Sequence, residues 1–408
     1  MRSISFSLIS ILPLIGRALG GTCSAKGAST GTGVVGVAAV ATEGTTSSVS
    51  SAIVDSTAKV SSSTSNTDTA SASSATSSNG NTTSSKDPTI SPGSNPNFKF
   101  KQPDKEKCDC GYKVSGLGDI YMPFKFEFNF SSLENNEGFK SGDDLKEHGW
   151  RINDGKWVGG PNSTGLTEGG QPESISHCIG DPSSLSIKDG NLLLNMKGAQ
   201  TAAPNQLHCP EIIHDNATLY GIFQSEIQWT DTPGTCQAFW MNHTNPNQFA
   251  DELDIEVIGG AIMNPNKEGT APGIWSTNWD PAGDPNSPLP NKEYTGIPHA
   301  SGENGSGQPT TFSEDPTKDF HTYTIAWVPG TYSPRYMDGK EIGSPNQYNA
   351  IHPMEATFNN WSNGAKGWSA GPPIEDSIMK VRSVLFYYRT EEVQSLPSNC
   401  KVEDVCTV

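Results

Sequence analysis

Between Phe6 and Phe98 the chain carries no aromatic side chain. A segment that long without aromatics cannot bury enough apolar surface to offset its ordering entropy, so the fold must be built from the C-terminal three quarters of the chain. Residues 41–90 make the point sharper, because 27 of them are Ser or Thr. That is the composition of an O-glycosylated, mucin-like stalk. Charge divides along the same line. Residues 1–96 hold five basic and four acidic side chains, so residues 97–408 carry a net charge of −18 and account for all of the chain's −17. Such acidity argues against any sequence-independent grip on nucleic acid.

The first twenty residues read as an address. Arg2 precedes an apolar run from Ile4 to Gly16, and Ala18-Leu19-Gly20 supplies a small-x-small cleavage site. The run is shorter than the ~20 apolar residues needed to cross a bilayer. The expected organisation is a signal peptide at 1–20, a Ser/Thr-rich disordered stalk at 21–96 and one folded domain at 97–408. Seven Asn-x-Ser/Thr sites (Asn81, Asn129, Asn162, Asn216, Asn242, Asn304 and Asn360) agree with an extracellular or cell-wall destination. No lipid-anchor signal closes the chain, so no membrane anchor is expected.

Eight cysteines contain no C-x-x-C pair of zinc type, and disulfides are the default for a secreted chain. Cys400 and Cys406 are close enough in sequence to close a small loop, whereas Cys108 and Cys110 should reach different partners. His177 beside Cys178 and His208 beside Cys209 suggest metal less than they suggest bridged cysteines. No metal and no cofactor are implied.

From Phe124 the pattern has period two. FKFEFNF places Phe124, Phe126, Phe128 and Phe130 on one face of a strand. SLSIKDGNLLLNMK reads as a hairpin turning at Asp189-Gly190, a pair that tolerates positive φ. Further strands are expected at 221–229, 237–242, 253–258, 320–328 and 381–388. A second hairpin spans 332–342 and turns at Asp338-Gly339. Convincing helices are absent, so the expected class is an all-β sandwich or jelly roll. Residues 259–319 read as one long Gly/Pro/Asn-rich connection.

The chemistry concentrates in DELDIEVIGG, Asp251 to Gly260. On a strand, Glu252, Asp254 and Glu256 project from one face and Leu253, Ile255 and Val257 from the other. An edge strand with a solvated acidic face gives the same alternation. Three carboxylates side by side contribute nothing to stability, because like charges repel and raise one another's pKa. A reaction that needs one ionised and one protonated carboxyl does profit, and glycoside hydrolysis is such a reaction. Its retaining form requires carboxyl groups ~5–5.5 Å apart. The Cα atoms of Glu252 and Glu256 would be ~13 Å apart on a regular strand, so bending and side-chain lean would have to close the gap.

DELDIEVIGG resembles the active-site strand of glycoside hydrolase family 16, whose lichenases and xyloglucan endotransglycosylases carry E-[IL]-D-x-E followed by Gly. Gln237–Met241 resembles the family's preceding apolar strand, and Asp315–Trp327 its segment after the long connection. Arg335–Lys340 is similar to its W-Y-V-D-G hairpin, Asn359-Asn360-Trp361 to its N-x-W strand, and Val381–Tyr388 to its closing strand. The matches run in family order across roughly 124–390. Departures are Leu253, Arg335 and Met337.

The resemblance implies a concanavalin A-like β-jelly roll, with Glu252 as nucleophile, Glu256 as general acid/base and Asp254 between them. The substrate would be a β-1,3- or mixed β-1,3/1,4-glucan, cut internally by a monomeric enzyme. A transglycosylase with the same carboxylates and a non-catalytic lectin are the rivals. Sugar contacts are expected from Trp240, Trp361, Asn359 and His321, with Trp275, Trp279 and Trp368 as further aromatic candidates. For any single tryptophan, ordinary packing explains its presence as well, and His321 could equally serve a hydrogen bond inside the sandwich.

Overall fold

In the computed structural model the described residues are 95–156, 177–200, 206–243, 251–279, 299–300, 309–330, 333–343, 349–362, 364, 368–369 and 371–408. The expected signal peptide and residues 21–94 of the expected stalk lie outside them, as do Cys23, Asn81, Asn162 and Asn304.

The strands are short and many, as the turn-rich composition demands. The first seven are β1 (Tyr112–Val114), β2 (Ile120–Met122), β3 (Phe124–Asn129), β4 (Trp150–Ile152), β5 (His177–Gly180), β6 (Leu185–Lys188) and β7 (Asn191–Met196). Next come β8 (Gln206–Cys209), β9 (Glu211–His214), β10 (Gly221–Gln228), β11 (Cys236–Asn242), β12 (Glu252–Ile258) and β13 (Ile274–Trp279). The last are β14 (His299–Ala300), β15 (His321–Trp327), β16 (Arg335–Met337), β17 (Lys340–Gly343), β18 (Glu355–Trp361), β19 (Ser377–Tyr388) and β20 (Cys406–Thr407).

Two large sheets form a sandwich. One runs β14-β13-β12-β11-β18-β9-β4. The other runs β17-β16-β15-β10-β19-β7-β6, with β3 also paired to β19. Their facing side chains build one core, which includes Trp150, Phe223, Phe239, Leu253, Ile255, Val257, Ile325, Phe358 and Phe386. Phe124, Phe126 and Phe128 lean on that core while Lys125, Glu127 and Asn129 face outward, as period two requires. Both hairpin turns form where expected. Asp189 and Gly190 have φ of 51° and 74°, and Asp338 and Gly339 have 51° and 82°, the left-handed pair of a type I′ turn.

The outer face of the eight-stranded sheet is not left to solvent. Ile222, Ala326, Tyr336 and Tyr387 pack there against Phe98, Val114, Ile120, Met122 and Val408. The covering layer is the small sheet β2-β1-β20. Disulfides Cys108–Cys406 and Cys110–Cys400 clasp its ends. Cys108 and Cys110 thus do find different partners, but Cys400 and Cys406 do not close a loop on each other. Each lies opposite a cysteine from the other end of the domain. The chain joins the domain slightly earlier than the 96/97 boundary, since the Asn95 amide donates to Gly116 O and Glu341 N donates to Pro96 O.

One of the seven sequons is closed by the fold. The Asn360 side chain is fully buried and donates to Leu194 O and Ser377 O, so the folded domain has no room for a glycan there. The long 259–319 connection is corrected too, because β13 lies inside it. Ser276 and Asn278 occupy interior positions of β13, where an alternating strand would carry apolar residues.

Trp150 is fully buried between the sheets, with Phe126, Phe130, His214 and Phe358 at 5.5–6.0 Å between ring centres. Trp150→Ala should therefore cost about 3–5 kcal/mol, read as a drop in the denaturant midpoint at unchanged slope.

Candidate active site

Strand β12 holds the carboxylates as its alternation implied. Leu253, Ile255 and Val257 are fully buried in the sandwich core. Asp254 is almost fully buried on the opposite face, and Glu252 and Glu256 are half-buried on either side of it. The strand ends where Gly259 and Gly260 begin. A Cβ on Gly259 would stand 1.9 Å from Thr232 O, which explains the need for glycine directly after the acidic alternation. Gly260 adopts φ 80° and its amide donates to Asp231 Oδ1 at 2.7 Å.

Neighbouring strands frame this row. Across β11, Asn242, Trp240 and Ala238 stand opposite Glu252, Asp254 and Glu256. Across β13 the partners are Trp279, Thr277 and Trp275. One strand further on, β18 places Glu355, Thr357, Asn359 and Trp361 in register with β11. The carboxylates therefore lie on the outer face of the seven-stranded sheet, between two strands that bring tryptophans.

Electrostatically the glutamates behave as a pair. Burial, then the charge of Glu256, raises the pKa of Glu252 well above that of an ordinary glutamate, and a hydrogen bond with Asp254 opposes the shift. Burial also raises Glu256, against a hydrogen bond from Cys236. Their protons leave in two steps that belong to the pair, so one carboxyl holds a proton under conditions where its neighbour is ionised.

Cys236 was expected in a disulfide and is instead free and buried. Its thiol lies 3.3 Å from Glu256 Oε1 and donates to it. Burial raises the thiol's pKa far above the usual cysteine value, so it remains a neutral donor. Cys178 and Cys209, by contrast, are bridged and join the parallel strands β5 and β8. His208 pairs with Asp181 at 3.0 Å.

The sugar-contact candidates fall into two groups. Trp240 is half-buried and directly opposite Asp254. Trp361 is on the same face, only 7% exposed, and packs with Trp275, Trp368 and Cys236 at the Glu256 end. Asn359 is nearly fully buried, and its amide donates to Glu211 Oε2 at 3.0 Å. His321 is elsewhere. It starts β15 in the other sheet and bonds Asp338 Oδ2 at 2.6 Å, which serves the hairpin and does not bring it to the carboxylates.

Several polar groups on this face carry no signal in the sequence. Glu211 on β9 is buried, takes a second hydrogen bond from Asn153 at 2.6 Å, and is pushed up to about 7 chiefly by burial. Arg151 bridges Asp215 at 3.0 Å and Glu355 at 2.8 Å. The segment CPEIIHD, which holds Glu211 and Asp215, lacks a clean alternation, so period two does not mark it.

Residues 176–280, which include β10 through β13, match the family model described as glycosyl hydrolases family 16. A comparison with curated protein sequences found no match. Among solved structures, a prokaryotic β-1,3-1,4-glucanase (lichenase) from a mouse hindgut metagenome is 18% identical. It covers 64% of this chain and 98% of its own, with a TM-score of 0.44. The β-glucanase of Bacillus licheniformis is 15% identical, covering 65% of this chain and 98% of its own at a TM-score of 0.43. A LamA variant from Z. galactanivorans, in complex with laminaritriose and laminaritetraose, is 17% identical. It covers 64% of this chain and 97% of its own at a TM-score of 0.43. The family model is seated on the very segment that carries the carboxylate strand and both its neighbours, and that match gives the chain its glycoside hydrolase character.

Proposed function

We propose that the protein is a retaining endo-β-glucanase acting on internal bonds of a β-1,3- or mixed β-1,3/1,4-glucan. The observation that carries this reading is the pair of half-buried glutamates on one face of β12, separated by Asp254 and framed by Trp240, Trp275 and Trp279 on the neighbouring strands. In the reaction, ionised Glu252 attacks the anomeric carbon while protonated Glu256 gives its proton to the departing glycosidic oxygen. A covalent glycosyl-enzyme results. Glu256, now ionised, takes a proton from water as the water's oxygen attacks the same carbon and releases Glu252. Two inversions give net retention. Asp254 hydrogen-bonds Glu252 and lowers its proton affinity, which favours the ionised form that attacks. Trp240 and Trp361 offer apolar planes for the C–H faces of sugar rings, and Asn359 an amide at the same floor.

The test is incubation with a panel of defined β-glucans, with product lengths read by mass and the first-formed anomer by proton NMR. Ladders of intermediate length with the β-anomer appearing first are expected. First appearance of the α-anomer, or no cleavage across the panel, would sink the proposal. Adding an oligosaccharide acceptor separates hydrolysis from transglycosylation, because only the latter yields products longer than the acceptor.

The same proposal assigns residues 1–20 to export, 21–94 to a stalk and the remainder to the enzyme. Among the described residues, no helix is long and apolar enough to cross a membrane. Deleting 21–94 is expected to leave the melting temperature and the turnover of a soluble glucan unchanged, since that stretch offers no aromatic or periodic apolar residues to a core. A clear drop in melting temperature that a Cys23→Ser control does not reproduce would contradict this.

A further inference from the structure

Arg335 is a fully buried cation that the proposed reaction does not use. It lies on β16 in the eight-stranded sheet, yet its guanidinium crosses the sandwich to the underside of the carboxylate strand. Nε donates to Asp254 O at 3.2 Å. Nη2 donates to Thr277 O at 3.3 Å and Asn278 Oδ1 at 2.7 Å, and Nη1 to Ser333 O. Each of these acceptors is a neutral oxygen. Burying a guanidinium against neutral dipoles is costly unless a nearby anion offsets it. The carboxylate of Asp254 is the anion whose charge acts on Arg335, raising its pKa against the burial that pushes it down to about 9. Arg335 is therefore charged at neutral pH.

This is also why β13 looks unlike a strand. Its interior face presents Asn278 because a cation occupies the space where an apolar side chain would otherwise pack.

We infer that Arg335 is a positioning residue for the carboxylate row: its guanidinium pins the peptide between Glu252 and Glu256 and supplies the fixed positive charge that keeps Asp254 ionised. The inference rests on the roles given to those carboxylates under the proposed function. Titratable and charged groups that face the row among the described residues are Glu252 and Glu256 on β12, Cys236 on β11, Glu355 on β18, Glu211 on β9 with Asp215 just after it, and Arg151 on β4, whose charge is taken up by Asp215 and Glu355. On the core side β15 adds Tyr323, and β13 contributes none.

The experiment uses the full chain with aspartate side chains labelled at the carboxyl carbon. The NMR titration of Asp254 is followed together with the pH profile of kcat/KM. Arg335→Met removes the charge at similar volume. Asn278→Asp keeps the guanidinium but neutralises it with an adjacent carboxylate, to which the Ser333 hydroxyl can donate. Arg335→Lys keeps the charge without the fork. The Asp254 midpoint should rise by about one pH unit or more in Arg335→Met and Asn278→Asp, with the acidic limb of kcat/KM moving the same way and kcat falling roughly tenfold. In Arg335→Lys the limb should stay in place.

An unmoved Asp254 midpoint in Asn278→Asp, whatever happens to melting temperature, would reduce Arg335 to a tie between sheets and overturn the inference. That readout holds even if Arg335→Met fails to fold. Glucan turnover absent from the wild type, with the Asp254 midpoint still moving, would instead reject the proposed function and leave the electrostatic role standing.

Discussion

Glu252→Gln is expected to abolish turnover on every glycoside, including activated ones, with a loss of roughly 10⁴-fold or more in kcat. The amide keeps the shape of the side chain and loses the nucleophile. The same change should stabilise the fold at neutral pH. Burial and the neighbouring carboxylate raise the proton affinity of Glu252 in the folded state above the ordinary glutamate value of 4.5. Above that pH the unfolded chain holds fewer protons than the folded one, so stability falls as pH rises. Removing one carboxyl removes that penalty. The melting temperature of Glu252→Gln should exceed that of the wild type at pH 7.5, and the two should converge near pH 4. A variant that melts lower than the wild type at pH 7.5 would show that Glu252 contributes net stability and that the two glutamates do not compete for charge.

Glu256→Gln should separate substrates by their leaving groups. On natural glucans the departing alcohol needs a proton, and losing the general acid should cost about 10²–10⁴-fold. On an aryl glycoside, whose leaving group departs unaided, the first step should be nearly intact. Azide added to Glu256→Ala should restore turnover and yield a β-glycosyl azide, since a small anion fits the vacated space and attacks the glycosyl-enzyme. Mass spectrometry and NMR of the product decide. If azide rescues Glu252→Ala to the α-azide, while Glu256→Gln is equally dead on aryl substrates, the two roles are reversed.

The alternation in DELDIEVIGG and in FKFEFNF was legible because a strand with one face in an apolar core must repeat every second residue. The Asp-Gly turns were legible because few residues tolerate positive φ. What the alternation could not show was how the strands pair. β13 stayed hidden because Ser276 and Asn278 interrupt its interior face, and the polarity of Asn278 makes sense only beside Arg335, more than fifty positions away in the chain. Glu211 and Asn359 likewise meet only through the pairing of β9 with β18.

Cysteine arithmetic shows the same divide. Composition and context called for disulfides, and three are present among the described residues. Sequence proximity misjudged their partners, since Cys400 and Cys406 each join a cysteine from the start of the domain. Cys236 went unpaired because β11 seats it beside Glu256. His321, a candidate sugar contact by sequence, went to the opposite sheet and to Asp338.

By itself the sequence determined the all-β class and the face on which the three carboxylates stand. Local rules suffice for these: apolar content sets what can fold, and backbone geometry sets which side a residue faces. Tertiary structure alone decided which tryptophans flank the carboxylates, which cysteine stays a thiol, and that a cation lies beneath Asp254. Those depend on strand register and on contacts between distant segments, which no local periodicity encodes.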